Sequence, residues 1–341
     1  MKKIFFYVHS LNKGGAEHVL LTIADELNKT DEFEAVIVTD TVDELEYVLP
    51  EGIKRINLDD MMKSESGFDR ILALRSCLKS EKPDKFVVFM LSSAIRAVIA
   101  ALFTGYKVIA AVRSNPYDDY SAGIKQTELL WCMKRTEAIV CQTKYQAEFF
   151  KAGLRNKCVI ISNPIFKEFA DKAAKLTACA TGDDRTESEC TRSIMASGRL
   201  FDYKNHRLLI KAYAKICKDY PDTNVIIYGE GPYRSELESE IDSLGLKGKV
   251  LLPGDSSEVE EVISKAYIYV LPSDTEGLPN ALMEAMALGR PVIATDCPCG
   301  GPKSLIKDGV NGLLTPVGDV DAMEAALRRL LDDNALCKKL G

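Results

Sequence analysis

The sequence lacks the roughly 20 consecutive apolar residues that a membrane-spanning helix needs; Arg96 and Lys107 interrupt its best candidate. It lacks an excess of basic charge. The formal net charge is −6, which argues against general nucleic-acid binding, where a basic face is expected, and leaves room only for a local basic patch. It also lacks a cysteine framework. The ten cysteines, at positions 77, 132, 141, 158, 179, 190, 217, 297, 299 and 337, are scattered, as in proteins of a reducing compartment. Cys297-Pro298-Cys299 is a candidate redox or metal pair, but no His or second Cys pair stands near it to complete a metal site. The opening MKKIFFYVHS starts like a signal peptide, yet its apolar run ends at His9 in a polar glycine loop and reads as a first strand. A cytoplasmic protein is expected.

What is present is an alternation of strand and helix patterns over 341 residues, 46% apolar and 28% charged. One core seldom grows past about 250–300 residues, so two α/β domains are expected. Ile4–His9 is a continuous apolar run, as in a parallel strand buried on both faces, and an amphipathic helix over His18–Asn28 follows. The alternation continues to a strand at Cys158–Ser162. Residues 167–193 are polar, of mixed charge and without useful periodicity; they read as a linker with a short helix. The alternation restarts at Ile194 and closes with a helix over Val320–Asn334. The expected boundaries are therefore 1–166, a linker 167–193, and 194–341. Each half is a doubly wound parallel sheet, with a cleft between them.

The richest stretch runs from Val270 to Gly312. A strand stops at Pro272-Ser273, a helix starts near Pro279 and ends at Gly289, and a second strand, Pro291–Thr295, follows: one βαβ unit with a long loop at its carboxyl-end rim. Glu284 is the only charged side chain between Glu276 and Arg290. A helix apolar on all sides is buried, and a buried carboxylate is costly unless something donates hydrogen bonds to it. Sugar hydroxyls would serve; so would a buried Arg or backbone amides. Glu276 precedes the helix N-terminus, where it either meets a ligand or complements the helix dipole.

Four other stretches carry chemistry. Gly14-Gly15 follows the first strand and opens a helix, so backbone can approach a phosphate closely; it can equally be a plain turn. Gly198-Arg199-Leu200 ends the first strand of the second half, and Lys204-Asn205-His206 opens the next helix. Arg199 and Lys204 thus put two cations at a strand's carboxyl end. Tyr228-Gly229-Glu230-Gly231-Pro232 follows another strand, but position 234 is Arg where a dinucleotide fingerprint needs Gly, so an NAD site is excluded. Arg113-Ser-Asn-Pro116 and His9 stand at strand ends of the first half, where a structural salt bridge and a structural histidine are equally simple readings.

The run Glu276-Gly277-Leu278-Pro279-Asn280-Ala-Leu-Met-Glu284, with Gly289-Arg-Pro-Val-Ile-Ala-Thr295 and Asp308-Gly-Val-Asn-Gly-Leu-Leu-Thr-Pro316, resembles the donor-binding motif of retaining glycosyltransferases of family 4, which have the GT-B fold. The resemblance covers nearly the whole chain and is strongest in the second half. It implies an enzyme of bacterial capsule or exopolysaccharide type with two Rossmann-like domains facing a cleft, the first binding acceptor and the second a nucleotide sugar. It would move a hexose or N-acetylhexosamine from a nucleoside diphosphate, UDP being expected, with retention. On that resemblance Glu284 holds the ribose hydroxyls and Glu276 the hexose hydroxyls. Arg199, Lys204 and the Gly14-Gly15 loop hold the diphosphate, Gly198 belongs to the Gly-Arg-Leu signature, and Gly229 and Gly231 surround the base. Gly277, Leu278, Pro279 and Asn280 complete the donor site, and His9 and Arg113 would face the acceptor.

The family needs no metal or other cofactor, and no Asp-x-Asp metal motif falls in the expected cleft. The expected acceptor is a glycan or an undecaprenyl-diphosphate-linked glycan, used on the cytoplasmic face of the inner membrane. There the helix Ile124–Arg135, with Trp131, would either touch lipid or simply pack in the core. The sequence departs from the family in three places: Arg113 stands where many relatives carry a site His, Lys303-Ser304 where relatives often carry Glu, and the final helix that crosses to the first domain is absent or short. Two other functions fit the same residues: a nucleotide-sugar epimerase or hydrolase, and a non-catalytic nucleotide-sugar-binding module.

Overall fold

The computed structural model describes residues 1–62, 64, 66–120, 124–180 and 192–341. The chain forms two compact units, Met1–Pro164 and Ile165–Gly341. The expected linker is divided: Lys167–Ala180 is a helix of the second unit, longer than the short helix expected, and residues 181–191 lie outside the described residues. Phe166 and Phe169 are buried, and Lys172 pairs with Glu261, which together fix this helix on the second unit.

In the first unit seven strands form one parallel sheet: β1 (Lys2–Val8), β2 (Phe33–Thr39), β3 (Lys54–Asn57), β4 (Lys85–Phe89), β5 (Val108–Ala111), β6 (Ala138–Cys141) and β7 (Cys158–Ile160). Their order is β3-β2-β1-β4-β5-β6-β7. Apolar runs such as Ile4–Val8 and Ala35–Val38 are buried because helices cover both faces of such a sheet. The helix Ile124–Met133 turns Leu129, Cys132 and Met133 into the core and leaves Trp131 exposed, with the Arg135 guanidinium 3.6 Å above the indole.

The second unit repeats the plan with β8 (Arg192–Ser197), β9 (Thr223–Tyr228), β10 (Val250–Gly254), β11 (Ile268–Leu271), β12 (Val292–Thr295) and β13 (Leu313–Thr315), in the order β10-β9-β8-β11-β12-β13. All pairings are parallel. The chain winds outward in one direction from β8 to β10 and in the other from β11 to β13. The loops after β8 and β11 therefore diverge and leave a crevice at the carboxyl ends of the strands, the place where doubly wound sheets bind ligands. Among the described residues no helix is long and apolar enough to cross a membrane.

Candidate active site at the strand-order reversal of the second sheet

The residues singled out in the second half converge on that crevice. Gly198 and Arg199 directly follow β8, Glu276 lies in the loop after β11, and Glu284 stands on the helix Asn280–Ala287. Lys204 reaches across from the loop after β8 and places Nζ 2.6 Å from Glu276 Oε1. Ser273 donates to the same oxygen at 2.8 Å. Burial works against the Lys204 ammonium, but the Glu276 carboxylate overrides it, and the net effect raises the lysine above its ordinary value. One residue further on, Asn205 Nδ2 donates to Asp274 Oδ1 at 2.7 Å and caps the helix His206–Ile216 by accepting from the Leu208 N–H. Consecutive residues of one turn thus hold two acids of the opposite loop. Arg199 is exposed, donating to the Tyr203 hydroxyl at 2.9 Å.

Glu284 is largely enclosed, and among the described residues its carboxylate has no hydrogen-bond or ion-pair partner. Burial, reinforced by the Glu168 carboxylate, pushes it up to about 7. The buried Tyr269 lies within the field of both Glu284 and Glu276, and its hydroxyl shares a 2.8 Å hydrogen bond with Ser197. None of Tyr269, Ser197 and Ser273 was singled out in the sequence; Tyr269 was hidden inside an apolar strand. His206 is buried against the backbone of Gly198 and Arg199 without a hydrogen bond of good geometry, and burial together with Lys204 lowers it to about 4, so the imidazole is neutral at physiological pH.

The glycines act through close backbone approach. A Cβ on Gly229 would lie 2.0 Å from the Gly198 carbonyl oxygen, and one on Gly231 2.4 Å from that of Leu200. The Gly198 N–H donates to Tyr228 and the Leu200 N–H to Glu230, so the loops after β8 and β9 zip together. Gly301, not singled out in the sequence, is equally constrained: its Cβ would sit 1.9 Å from the Gly277 carbonyl oxygen. Leu278 and Pro279 are buried beside it, and Pro279 is the helix N-cap rather than its first helical residue. Ser304 donates to the Gly301 carbonyl at 2.6 Å, and Lys303 pairs with Asp296. Gly229→Ala should lower the melting temperature by about 5 °C or more, because backbone and not a flexible side chain must move. Gly153→Ala, with nothing within 4 Å, should leave it within about 2 °C; thermal denaturation of both checks this.

The first unit places its candidates separately. Gly14 caps the helix Gly15–Asn28, and a Cβ there would meet the Glu17 carboxylate at 2.5 Å, so an acid curls over the glycine loop. His9 Nδ1 lies 2.8 Å from Asp40, a fully buried carboxylate that also accepts from Tyr7 at 2.6 Å and from Arg96. Arg113 makes no salt bridge among the described residues: it donates to Asn163 at 2.8 Å and stacks over Phe89 at 4.2 Å, and burial lowers it to about 10. Cys297 and Cys299 are buried thiols that form no disulfide, and burial with the nearby Glu276 raises the Cys297 thiol to about 12.

Two units of this strand order in one chain, the second with cations and carboxylates gathered where the order reverses, define the two-domain GT-B architecture of nucleotide-sugar glycosyltransferases. The chain belongs to glycosyltransferase family 4: residues 13–169 match the domain described as Glycosyltransferase Family 4, and residues 184–341 the domain described as Glycosyl transferases group 1. It is 29% identical to a Campylobacter jejuni GalNAc-alpha-(1->4)-GalNAc-alpha-(1->3)-diNAcBac-PP-undecaprenol alpha-1,4-N-acetyl-D-galactosaminyltransferase, covering 100% of this chain and 92% of that one. It is 28% identical to the same organism's N-acetylgalactosamine-N,N'-diacetylbacillosaminyl-diphospho-undecaprenol 4-alpha-N-acetylgalactosaminyltransferase, over 99% and 92% of the two chains. Among solved structures it resembles Anabaena HepE in complex with UDP, with a TM-score of 0.82 and 17% identity over 100% of this chain and 92% of that one. That likeness establishes the fold.

Proposed function

We propose that this protein is a retaining glycosyltransferase that moves a hexose or N-acetylhexosamine from a UDP-sugar to an undecaprenyl-diphosphate-linked glycan in bacterial surface-polysaccharide synthesis. The observation that carries the reading is the unpartnered Glu284 carboxylate beside the Lys204–Glu276 pair, at the strand-order reversal of the second sheet. A carboxylate held in a poorly solvated place gains most from hydroxyl donors, and a ribose diol supplies two. The full-length relatives that act on undecaprenol-linked glycans, and the UDP-bound HepE structure, support the choice of donor and acceptor.

In this reading the acceptor oxygen attacks the anomeric carbon on the face from which the diphosphate departs. The bond to the phosphate oxygen breaks, and that oxygen takes the acceptor's proton. Arg199 and Lys204 neutralise the charge that grows on the leaving group, the electrostatic role that usually dominates such catalysis. Glu276 shares Lys204 with the donor and orients the hexose hydroxyls. Residues 1–166 would bind the acceptor, with His9 and Arg113 at strand ends, and residues 194–341 the donor. The exposed Trp131 and its stacked Arg135 would touch the membrane surface.

The test is to incubate the protein with UDP-sugars and an undecaprenyl-diphosphate-linked glycan and to read the new linkage by the anomeric proton coupling. An α linkage from an α-linked donor is expected. A β linkage contradicts retention, and free sugar or an epimerised nucleotide sugar at the same rate without acceptor points to the hydrolase or epimerase instead.

A further inference from the structure

An open crevice of about 580 Å³ lies at the same rim of the second sheet, two strands beyond the Lys204–Glu276 pair. Its lining comes from the loops after β11 and β12 and from the end of β13 with the loop that follows: Asp274, Asp296 and Thr315 are its polar groups, and Pro298, Pro316 and Val317 are among its apolar ones. The donor-site residues come from the loops after β8 and β9, the far end of the β11 loop and the helix Asn280–Ala287. With strands about 4.8 Å apart, the edge of β13 lies about 10 Å from β11, room for a further sugar ring beyond the loop that carries Glu276.

The chemistry of the lining is selective. Asp274 uses one oxygen on Asn205 and Asp296 one oxygen on Lys303; among the described residues the other oxygen of each has no partner. Thr315 is a buried residue in the wall of the crevice, and among the described residues its hydroxyl has no hydrogen-bond partner. Such a group costs free energy until a ligand supplies one. Two carboxylates against one lysine leave the crevice anionic, which disfavours a phosphate. Carboxylates, a hydroxyl and flanking prolines suit a ring with hydroxyl donors on its edge and an apolar C–H face.

We infer that this crevice binds a sugar unit separate from the donor, a carbohydrate subsite on the nucleotide-binding unit. The inference rests on the reading of the neighbouring loop as the sugar-nucleotide site, since that is what makes this sugar a second one.

Saturation-transfer NMR on the full chain tests it, with N-acetylgalactosamine, galactose, glucose and their α-1,4-linked disaccharides as probes at about 5 mM, because an isolated sugar subsite binds in the millimolar range. Expected is transfer to at least one probe that persists when a saturating UDP-sugar is added. Thr315→Val and Asp296→Asn should each weaken it roughly tenfold, while both variants keep the UDP-induced thermal shift of the wild type. No transfer to any probe, transfer unchanged in both variants, or transfer abolished by the UDP-sugar overturns the subsite. The UDP shift reports independently on the donor reading: its absence beside sugar transfer that both variants weaken would sink that reading and leave the subsite standing.

Discussion

Lys204→Ala is expected to slow transfer by about 10²–10³ and to destabilise the second unit, and adding Glu276→Ala should restore much of the stability but none of the activity. Lys204 and Glu276 sit 2.6 Å apart with side chains 19% and 11% exposed. Removing one partner of so enclosed a pair leaves an uncompensated charge, a loss of about 3–5 kcal/mol. Glu276 would keep the Ser273 hydroxyl, and the nearby Tyr269 and Cys297 bring no positive charge. Removing both charges avoids that penalty, so the double variant should melt above either single one. Loss of one preorganised cation from the departing diphosphate should cost about 10²–10³ in turnover. Lys204→Arg should not rescue it fully, because a planar guanidinium does not replace a compact ammonium in a closed site. Melting curves and initial rates for the four variants check the scheme; a double variant less stable than Lys204→Ala would show that the pair is not coupled as drawn.

Glu284→Gln should stabilise the ligand-free protein at alkaline pH while removing its response to nucleotide. Burial and Glu168 hold the folded-state value up at about 7, against an ordinary value of 4.5. The folded state therefore keeps a proton that the unfolded chain has released. Stability linked to that proton is fully present below about 4.5 and is lost as pH rises through about 7. The penalty above pH 7 is about 3 kcal/mol, and glutamine does not carry it. The ligand-free variant should melt about 5 °C or more above wild type at pH 8 and nearly with it at pH 5. A ribose diol donates to the ionised form and so lowers that value again. Wild-type affinity for a UDP-sugar, whose diphosphate diester does not titrate here, should thus be on the order of 10-fold weaker at pH 5.5 than at pH 7.5. Calorimetry across that range checks the sign; tighter binding at low pH would place the ligand elsewhere.

Much of this was legible in the sequence because the informative features are local. The apolar run Ile4–His9, the Pro279 and Gly289 punctuation around one helix, and the single acid among Ala281–Ala287 each declare themselves within a few residues. What escaped is long-range. Tyr7, His9, Asp40 and Arg96 form one cluster although no short window contains them. By resemblance Gly229 lies near a base, but its packing partner is a carbonyl 31 positions earlier, at Gly198. The Lys204–Glu276 pair spans 72 residues, so spacing showed two separate charges where the fold makes one unit. The helix Lys167–Ala180 is hard to see in a polar stretch because its two buried anchors, Phe166 and Phe169, stand at its very start, and further along it is held by the Lys172–Glu261 pair rather than by an apolar stripe.

The most direct test of the central claim is whether a uridine diphosphate binds at Glu284. Thermal denaturation of wild type and Glu284→Ala should be compared with UDP, GDP, ADP and a panel of their sugars, since a ligand that binds only the folded state must raise the melting temperature. UDP or a UDP-sugar should raise the wild type by several degrees, the other nucleotides should do less, and the variant should lose the shift. A UDP shift of equal size in the variant, or no shift from any nucleotide in the wild type, would contradict the assignment of this crevice as the donor site.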